Sequence, residues 1–267
     1  MTMVQPKDRN SLKTVEKAVR ILKEFSHERP EISISELSRD LDIHKSIVSR
    51  LVSTLCQSSL LQQDPDTRKI RIGVGAFRLG SIYASRQEIV RKTTPFLGTL
   101  VSRIGQSAHA MVLDGSNGLV VATVESPSAL RVIMRVGEHR HLHSTASGKV
   151  FLAFSPPSLL EAIIEEPGLV RHTPATITDP DELRAELESV RATRIGWNNG
   201  ENHAGAGGVA APILDDGGHV VTTISVVYPL NVPSEAQKQV IAAETLAVSE
   251  KLSELFRSEA RQRPRKR

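Results

Sequence analysis

Apolar and polar positions change their period along this chain, and the changes divide it. Through residues 13–57 the apolar side chains recur at three- and four-residue spacing, the period of helices buried on one side. Val15, Ala18, Val19, Leu22 and Phe25 make one such stripe, which predicts a helix from Lys13 to Ser26, with Pro30 closing the connection after it. Ser33 and Glu36 are spaced as a capping box, so a second helix begins near Ile34, with Leu37 and Leu41 on its buried side. Asp42 and Ile43 break that pattern, and a third helix runs from about His44 to Gln57. On it Ile47, Val48, Leu51, Val52 and Leu55 fall within an arc of about 140° at 100° per residue. From Leu60 the period shortens to two. Leu60 to Gln63 and Arg68 to Gly73 flank Asp64-Pro65-Asp66-Thr67, a turn with proline at its second position, and are predicted to pair as a hairpin.

Gly73 and Gly75 loosen the exit from the hairpin. A helix apolar on one side follows through Phe77, Leu79, Ile82 and Tyr83. It is too short to make a core alone, so it is expected to pack on a partner, and the domain boundary falls near Gln87. Beyond it helix and strand patterns mix. Residues 88–104 read as a helix interrupted by Pro95, and Ala108 to Leu113 and Leu119 to Val124 as strands joined by the turn-forming run Asp114-Gly115-Ser116-Asn117-Gly118. Arg131 to Val136 reads as a third strand. Ala146 to Phe154, Pro157 to Glu165 and Pro180 to Thr193 read as helices, the last capped by Asp179 with Pro180 in its first position. Val209 to Leu214 and His219 to Tyr228 form another hairpin, and Ser234 to Ser258 a closing helix with Gln237 placed to complete its cap. The fold class is α+β: an N-terminal winged helix-turn-helix at 11–75, a linker helix at 76–87, and a C-terminal domain at 88–258 with an antiparallel sheet and helices around it. Residues 1–10 are expected to be disordered and 259–267 to form a basic tail.

The third helix gives the first functional sign. Opposite its apolar arc lie Lys45, Ser46, Ser49, Arg50, Ser53, Thr54 and Gln57, with no acid among them. A solvated face usually mixes both charge signs at four-residue spacing. Short hydroxyls and two cations instead suit a phosphate-lined major groove, where Arg and Lys meet phosphates or guanine edges and Ser lets the backbone approach. That makes it a recognition helix, with Arg68, Lys69 and Arg71 of the hairpin as a basic wing beside it. A helix pair and hairpin that bind only protein is the weaker reading.

Charge sharpens the division. Residues 1–80 hold 14 Lys and Arg against 10 Asp and Glu, residues 81–256 hold 14 against 19, and residues 257–267 hold 6 against 1. The net +4 is thus basic ends around an acidic body, as expected when one part meets DNA and another does not. Hydrophobic content of 39% and charged content of 24% are ordinary for a globular chain. No apolar run approaches a membrane span, and the first thirty residues do not read as a signal peptide. The single cysteine, Cys56, excludes an internal disulfide. A cytoplasmic protein without membrane contact is expected, and no cofactor is called for.

These stretches resemble the IclR family of bacterial transcription regulators. The resemblance runs from about residue 11 to 256. It rests on ISELSRDLDIHKSIVSRLVSTL and the wing after it, on HSTASGKVFLA at 143–153, and on GVAAPILDDGGHVVTTISV at 208–226. It implies a winged helix joined by a linker helix to an effector domain like a GAF or PAS fold. It also implies a homodimer or tetramer, and ligands that are small organic acids or aromatics. By the same resemblance Ala146 and Ser147 line the effector pocket, with Asn198, Gly208, Ser225 and Val227 around it. The residues agree, since small side chains at a helix start offer free N–H groups to an anion. The chain departs from the family pattern where many members have Asp near Asn198, Cys at Gly208, Ser at Val227, and Gly-Tyr at Arg194-Ile195. Those changes point to a larger or less polar effector than a two-carbon acid. The expected partners are double-stranded DNA carrying an inverted-repeat operator and a small aromatic or branched carboxylic acid.

Three other readings compete. His139, His141 and His143 alternate, so on a strand they would face one way and bind a metal, although no cysteine adjoins. Asn199, Glu201 and His203 resemble acid–base groups. Without a nucleophile motif, a phosphate loop or paired carboxylates they read better as a polar loop closing the pocket, and the chain is not read as an enzyme. Finally, the second domain would serve only to hold subunits together.

Overall fold

In the computed structural model residues 12–262 are described, without the side chains of 84–86 and 259–262, and the chain forms two compact units that meet in sequence between Arg86 and Gln87. The expected disorder of residues 1–10 lies outside the described residues.

The first unit holds α1 (Lys13–Lys23), β1 (Glu31–Ile32), α2 (Ile34–Asp40), α3 (Lys45–Gln57), β2 (Leu61–Gln63), β3 (Ile70–Ile72) and α4 (Val74–Arg86). The Ser33 capping box forms: the Ser33 N–H donates to the Glu36 carboxylate at 2.8 Å, and the Glu36 N–H to the Ser33 hydroxyl at 3.2 Å. α3 is capped by the His44 imidazole. Ile21, Leu37, Val48, Leu51, Val52, Leu55 and Ile70 form the core. Two expectations change. Val15 and Val19 are 55% and 43% exposed, and Ile21 is the α1 residue that is fully buried. Ile47 is 38% exposed, at the edge of its arc. The sheet order β1-β3-β2 adds a two-residue strand too short to show a period. α4 carries Phe77 and Leu79 at 74% and 61% exposure, so its apolar face is uncovered in a single chain.

The second unit holds α5 (Glu88–Ile104), β4 (Ser107–Asp114), β5 (Asn117–Val124), β6 (His139–His141), α6 (Ala146–Phe154), α7 (Pro157–Glu165), α8 (Pro180–Thr193), β7 (Gly196–Asn199), β8 (Ala206–Leu214), β9 (Val220–Pro229) and α9 (Glu235–Gln262). Six antiparallel strands run in the order β6-β5-β4-β9-β8-β7. Period-two alternation decides which layer each side chain joins. Ala108, Ala110, Val209, Ala211, Ile224, Val226 and Tyr228 face α5 and α9 in one core. Met111, Ala210 and Val227 face α6, α7 and α8 in the other.

Arg131 to Val136 is not a strand. That stretch is irregular, and Gly137 at φ +91° turns the chain into β6, which takes the edge position beside β5 instead. Pro95 does not interrupt α5, which runs unbroken through it. β7, missed in the sequence, pairs with β8. α9 continues to Gln262, four residues into the stretch read as a tail, and 263–267 lie outside the described residues. Ser234 and Gln237 complete the expected reciprocal cap at its start. No described helix is long and apolar enough to cross a membrane.

Candidate functional site

Lys45, Ser46, Ser49, Arg50 and Ser53 project from α3 and are exposed, and so are Arg68, Lys69 and Arg71 of the wing. The apolar arc of α3 is buried in the first unit's core, which leaves this face outward. The helix start is set locally. The Ser38 hydroxyl donates to Ile43 O at 2.7 Å, and the Arg20 guanidinium to Leu41 O at 2.8 Å, which pins the turn between α2 and α3. Ser46 is partly committed, because its N–H and hydroxyl both bond the His44 ring. The wing turn is equally built. Asp64 Oδ1 accepts from Thr67 N–H at 2.8 Å, from the Thr67 hydroxyl at 3.0 Å and from Asp66 N–H at 3.1 Å. Those bonds to Thr67 hold the Asp64 carboxyl below the usual carboxylate range. Arg68 takes a left-handed φ of +59°, which throws its side chain off the hairpin tip.

The second unit contains a cavity of about 390 Å³ between the sheet and the start of α6. All six residues expected to surround an effector line it: Ala146, Ser147, Asn198, Gly208, Ser225 and Val227. Register explains the grouping, because Asn198, Gly208 and Val227 stand side by side on β7, β8 and β9. Thr145 caps α6, its hydroxyl accepting from Gly148 N–H at 3.2 Å. Ser147 follows in the first turn, 1% exposed, and its hydroxyl has no partner. At Gly208 a Cβ would sit 3.2 Å from Val226 O and 3.4 Å from a Val227 methyl, so any side chain there grows into the cavity. Among the lining residues that sequence reasoning missed are His109, Arg140, and Val132 to Met134. His109 was legible in principle, since alternation on β4 puts it on the Met111 face. Arg131 to Val136 was read as strand and so was not considered for a wall.

Behind the loop that carries Asn202 and His203 lies a buried ion-pair cluster. Lys149 on α6 is 1% exposed, with its Nζ 2.8 Å from Glu201 and 3.0 Å from Glu186 on α8. Burial pushes the Glu201 carboxyl above its usual value, and Lys149 holds part of that shift back. The Asn198 side-chain oxygen accepts from Glu201 N–H at 2.8 Å, and the Thr176 hydroxyl donates to Glu201 O at 2.6 Å. These bonds fix the loop whose next residues, Asn202 and His203, line the cavity. Glu201 is therefore a structural anchor of that loop.

The histidine run does not assemble as a metal site. His139 turns to Asp114 at 2.8 Å. His141 stacks on His172 with centroids 4.5 Å apart, and the buried His143 donates to Val170 O at 2.9 Å. Strand β6 ends at His141, so the three do not share one strand face. No group of three or more His, Cys, Asp or Glu among the described residues is arranged to hold a metal ion. Cys56 is free and half-buried, and burial pushes its thiol up, away from reactivity.

A basic, acid-free recognition helix with a wing, joined in one chain to a cavity-bearing α+β unit, defines a DNA-binding transcriptional regulator. Comparison with known proteins gives the family. The model for the IclR helix-turn-helix domain matches residues 14–65, and that for the bacterial transcriptional regulator IclR C-terminal region matches 81–254. The chain belongs to the IclR family, whose members are regulators and not enzymes. It is similar to the HTH-type transcriptional regulator BhcR of Paracoccus denitrificans, at 30% identity over 83% of this chain and 80% of that one. A solved IclR-type regulator from a Silicibacter species shares 31% identity, covers 91% of this chain and 96% of its own, and superposes with a TM-score of 0.80. An IclR homologue from Microbacterium hydrocarbonoxydans, solved in complex with 4-hydroxybenzoate, shares the fold at a TM-score of 0.75 and 24% identity, over 90% of this chain and 98% of that one.

Proposed function

We propose that this regulator is switched by a small aromatic or branched carboxylic acid, held in the cavity of the second unit with its acid group near Ala146 and Ser147. The observation that carries the reading is the unpartnered, buried Ser147 hydroxyl in the first turn of α6, in a cavity that Val227 also lines. A helix N-terminus with free N–H groups and a spare hydroxyl favours an anion. A cavity of about 390 Å³ lies at the lower end of the roughly 300–1,000 Å³ usual for small-molecule sites. The Microbacterium homologue's aromatic acid is of the same class.

DNA is read by Lys45, Ser46, Ser49, Arg50 and Ser53 in the major groove, while Arg68, Lys69 and Arg71 hold the backbone or minor groove. One such helix reads few base pairs, so two chains act together on an inverted repeat. The uncovered apolar face of α4 at Phe77 and Leu79 supports a homodimer.

Calorimetric titration of the full-length chain with benzoate and with isovalerate tests the ligand reading. At least one acid is expected to bind, and Gly208→Leu, which fills the cavity, to abolish that binding while the thermal transition persists. Binding undiminished by Gly208→Leu would place the acid elsewhere.

A further inference from the structure

His109 is a cavity residue that neither the expected pocket nor the family resemblance accounts for. It stands on β4 beside Ser225 of β9, on the face it shares with Met111. It is 3% exposed, and its Nδ1 has no hydrogen-bond partner. Ser225 does not satisfy it, because that hydroxyl donates to Val209 O at 2.8 Å. A buried polar group without a partner costs free energy that a ligand recovers by pairing with it. Two buried residues, His109 and Ser147, thus line one cavity, and each carries a side-chain polar atom without a hydrogen-bond partner.

We propose that His109 is the specificity-determining residue of this cavity, hydrogen-bonding an uncharged hydroxyl on a monocarboxylic acid whose acid group sits at the start of α6. The proposal rests on the cavity reading above and adds the second polar group of its ligand. Burial, and secondarily the Arg140 charge, lower the His109 pKa to about 3, so the ring is neutral in the cell's pH range. A neutral imidazole has one donor and one acceptor nitrogen. A hydroxyl both donates and accepts a hydrogen bond, so it fits either tautomer. A second carboxylate only accepts, and would bring another charge into a largely apolar wall. Arg140 also lines the cavity and its Nε lacks a partner, but its guanidinium is already ion-paired with Glu138.

The test is calorimetric titration of the full-length chain with benzoate, 3-hydroxybenzoate, 4-hydroxybenzoate and terephthalate. Wild type is expected to bind one hydroxybenzoate about tenfold tighter than benzoate, the worth of one good hydrogen bond, and terephthalate more weakly than either. In His109→Phe the ratio of hydroxybenzoate to benzoate affinity falls to near one. His109→Gln, which keeps a neutral donor and acceptor, retains a preference of about threefold or more. Equal affinities in wild type, a preference unchanged in His109→Phe, or tighter binding of terephthalate would each overturn the role of His109. Benzoate binding that Gly208→Leu abolishes leaves the cavity reading standing in those cases. If no monocarboxylic acid binds wild type, the cavity reading fails and this inference with it.

Discussion

Lys149→Met removes the buried cation paired with Glu201, whose loop carries Asn202 and His203 into the cavity. Both partners are nearly inaccessible, at 1% and 6% side-chain exposure, and sit 2.8 Å apart. Breaking such a pair strands a buried charge, and the expected loss is about 3–5 kcal/mol. An exposed pair such as Arg184 with Glu161 is worth only about 0–1 kcal/mol. The sign with pH follows from Glu201. Its folded pKa already lies above the unfolded value near 4.5, and losing Lys149 raises it further. A carboxyl raised on folding penalises the native state as pH climbs through the folded pKa, and the penalty vanishes below the unfolded one. The deficit of Lys149→Met is therefore largest at alkaline pH and shrinks as pH falls towards the unfolded value near 4.5. Trp197, the chain's one tryptophan, lies on β7 four residues before Glu201, so urea unfolding followed by its fluorescence reads this unit. The double variant Lys149→Met/Glu201→Gln should recover most of the loss. A deficit under about 1 kcal/mol, or one independent of pH, would refute the reasoning.

Other outcomes follow from the same geometry. Arg50→Ala should cost about 1–3 kcal/mol of specific DNA affinity and relax preference at one base position, whereas Arg68→Ala and Lys69→Ala should weaken all sequences alike; anisotropy titrations at fixed salt separate the two patterns. Footprinting should show an inverted repeat occupied by two chains, and sizing without DNA should show at least a dimer. Arg194 ends α8 at a left-handed φ of +60°, so Arg194→Gly should stabilise the second unit by up to about 1 kcal/mol in the Trp197 assay, less what its ion pair with Glu250 contributes.

Local chemistry made much of the fold legible. Reciprocal caps at Ser33 and Ser234, and Asp179 with Pro180, placed helix starts because each satisfies N–H groups within a few residues. α6, α7 and α8 run as the spacing predicts. What failed depended on distant partners. Arg131 to Val136 alternates like a strand, but the sheet edge beside β5 is taken by His139 to His141, so Val132 to Met134 are left to line the cavity. Val15 and Val19 carry a helical period without being covered, since Ile21 supplies the buried contact of α1. β1 and β7 are too short, or too polar, to show a period of their own. Six cavity residues came from the family resemblance; alternation on β4 could have added His109, whereas Arg140 became visible only when strand pairing brought β6 to the same cavity as α6.

The central claim joins the two units: acid bound in the cavity changes affinity for DNA. The direct measurement uses the duplex that the full-length chain enriches from a random pool, with affinity read by anisotropy at fixed salt, with and without the acid found to bind. The account predicts a shift of about fivefold or more in wild type, in the range of ordinary allosteric coupling, and none in Gly208→Leu, whose DNA affinity without acid stays that of wild type. An affinity that does not move when calorimetry shows the cavity filled would contradict it.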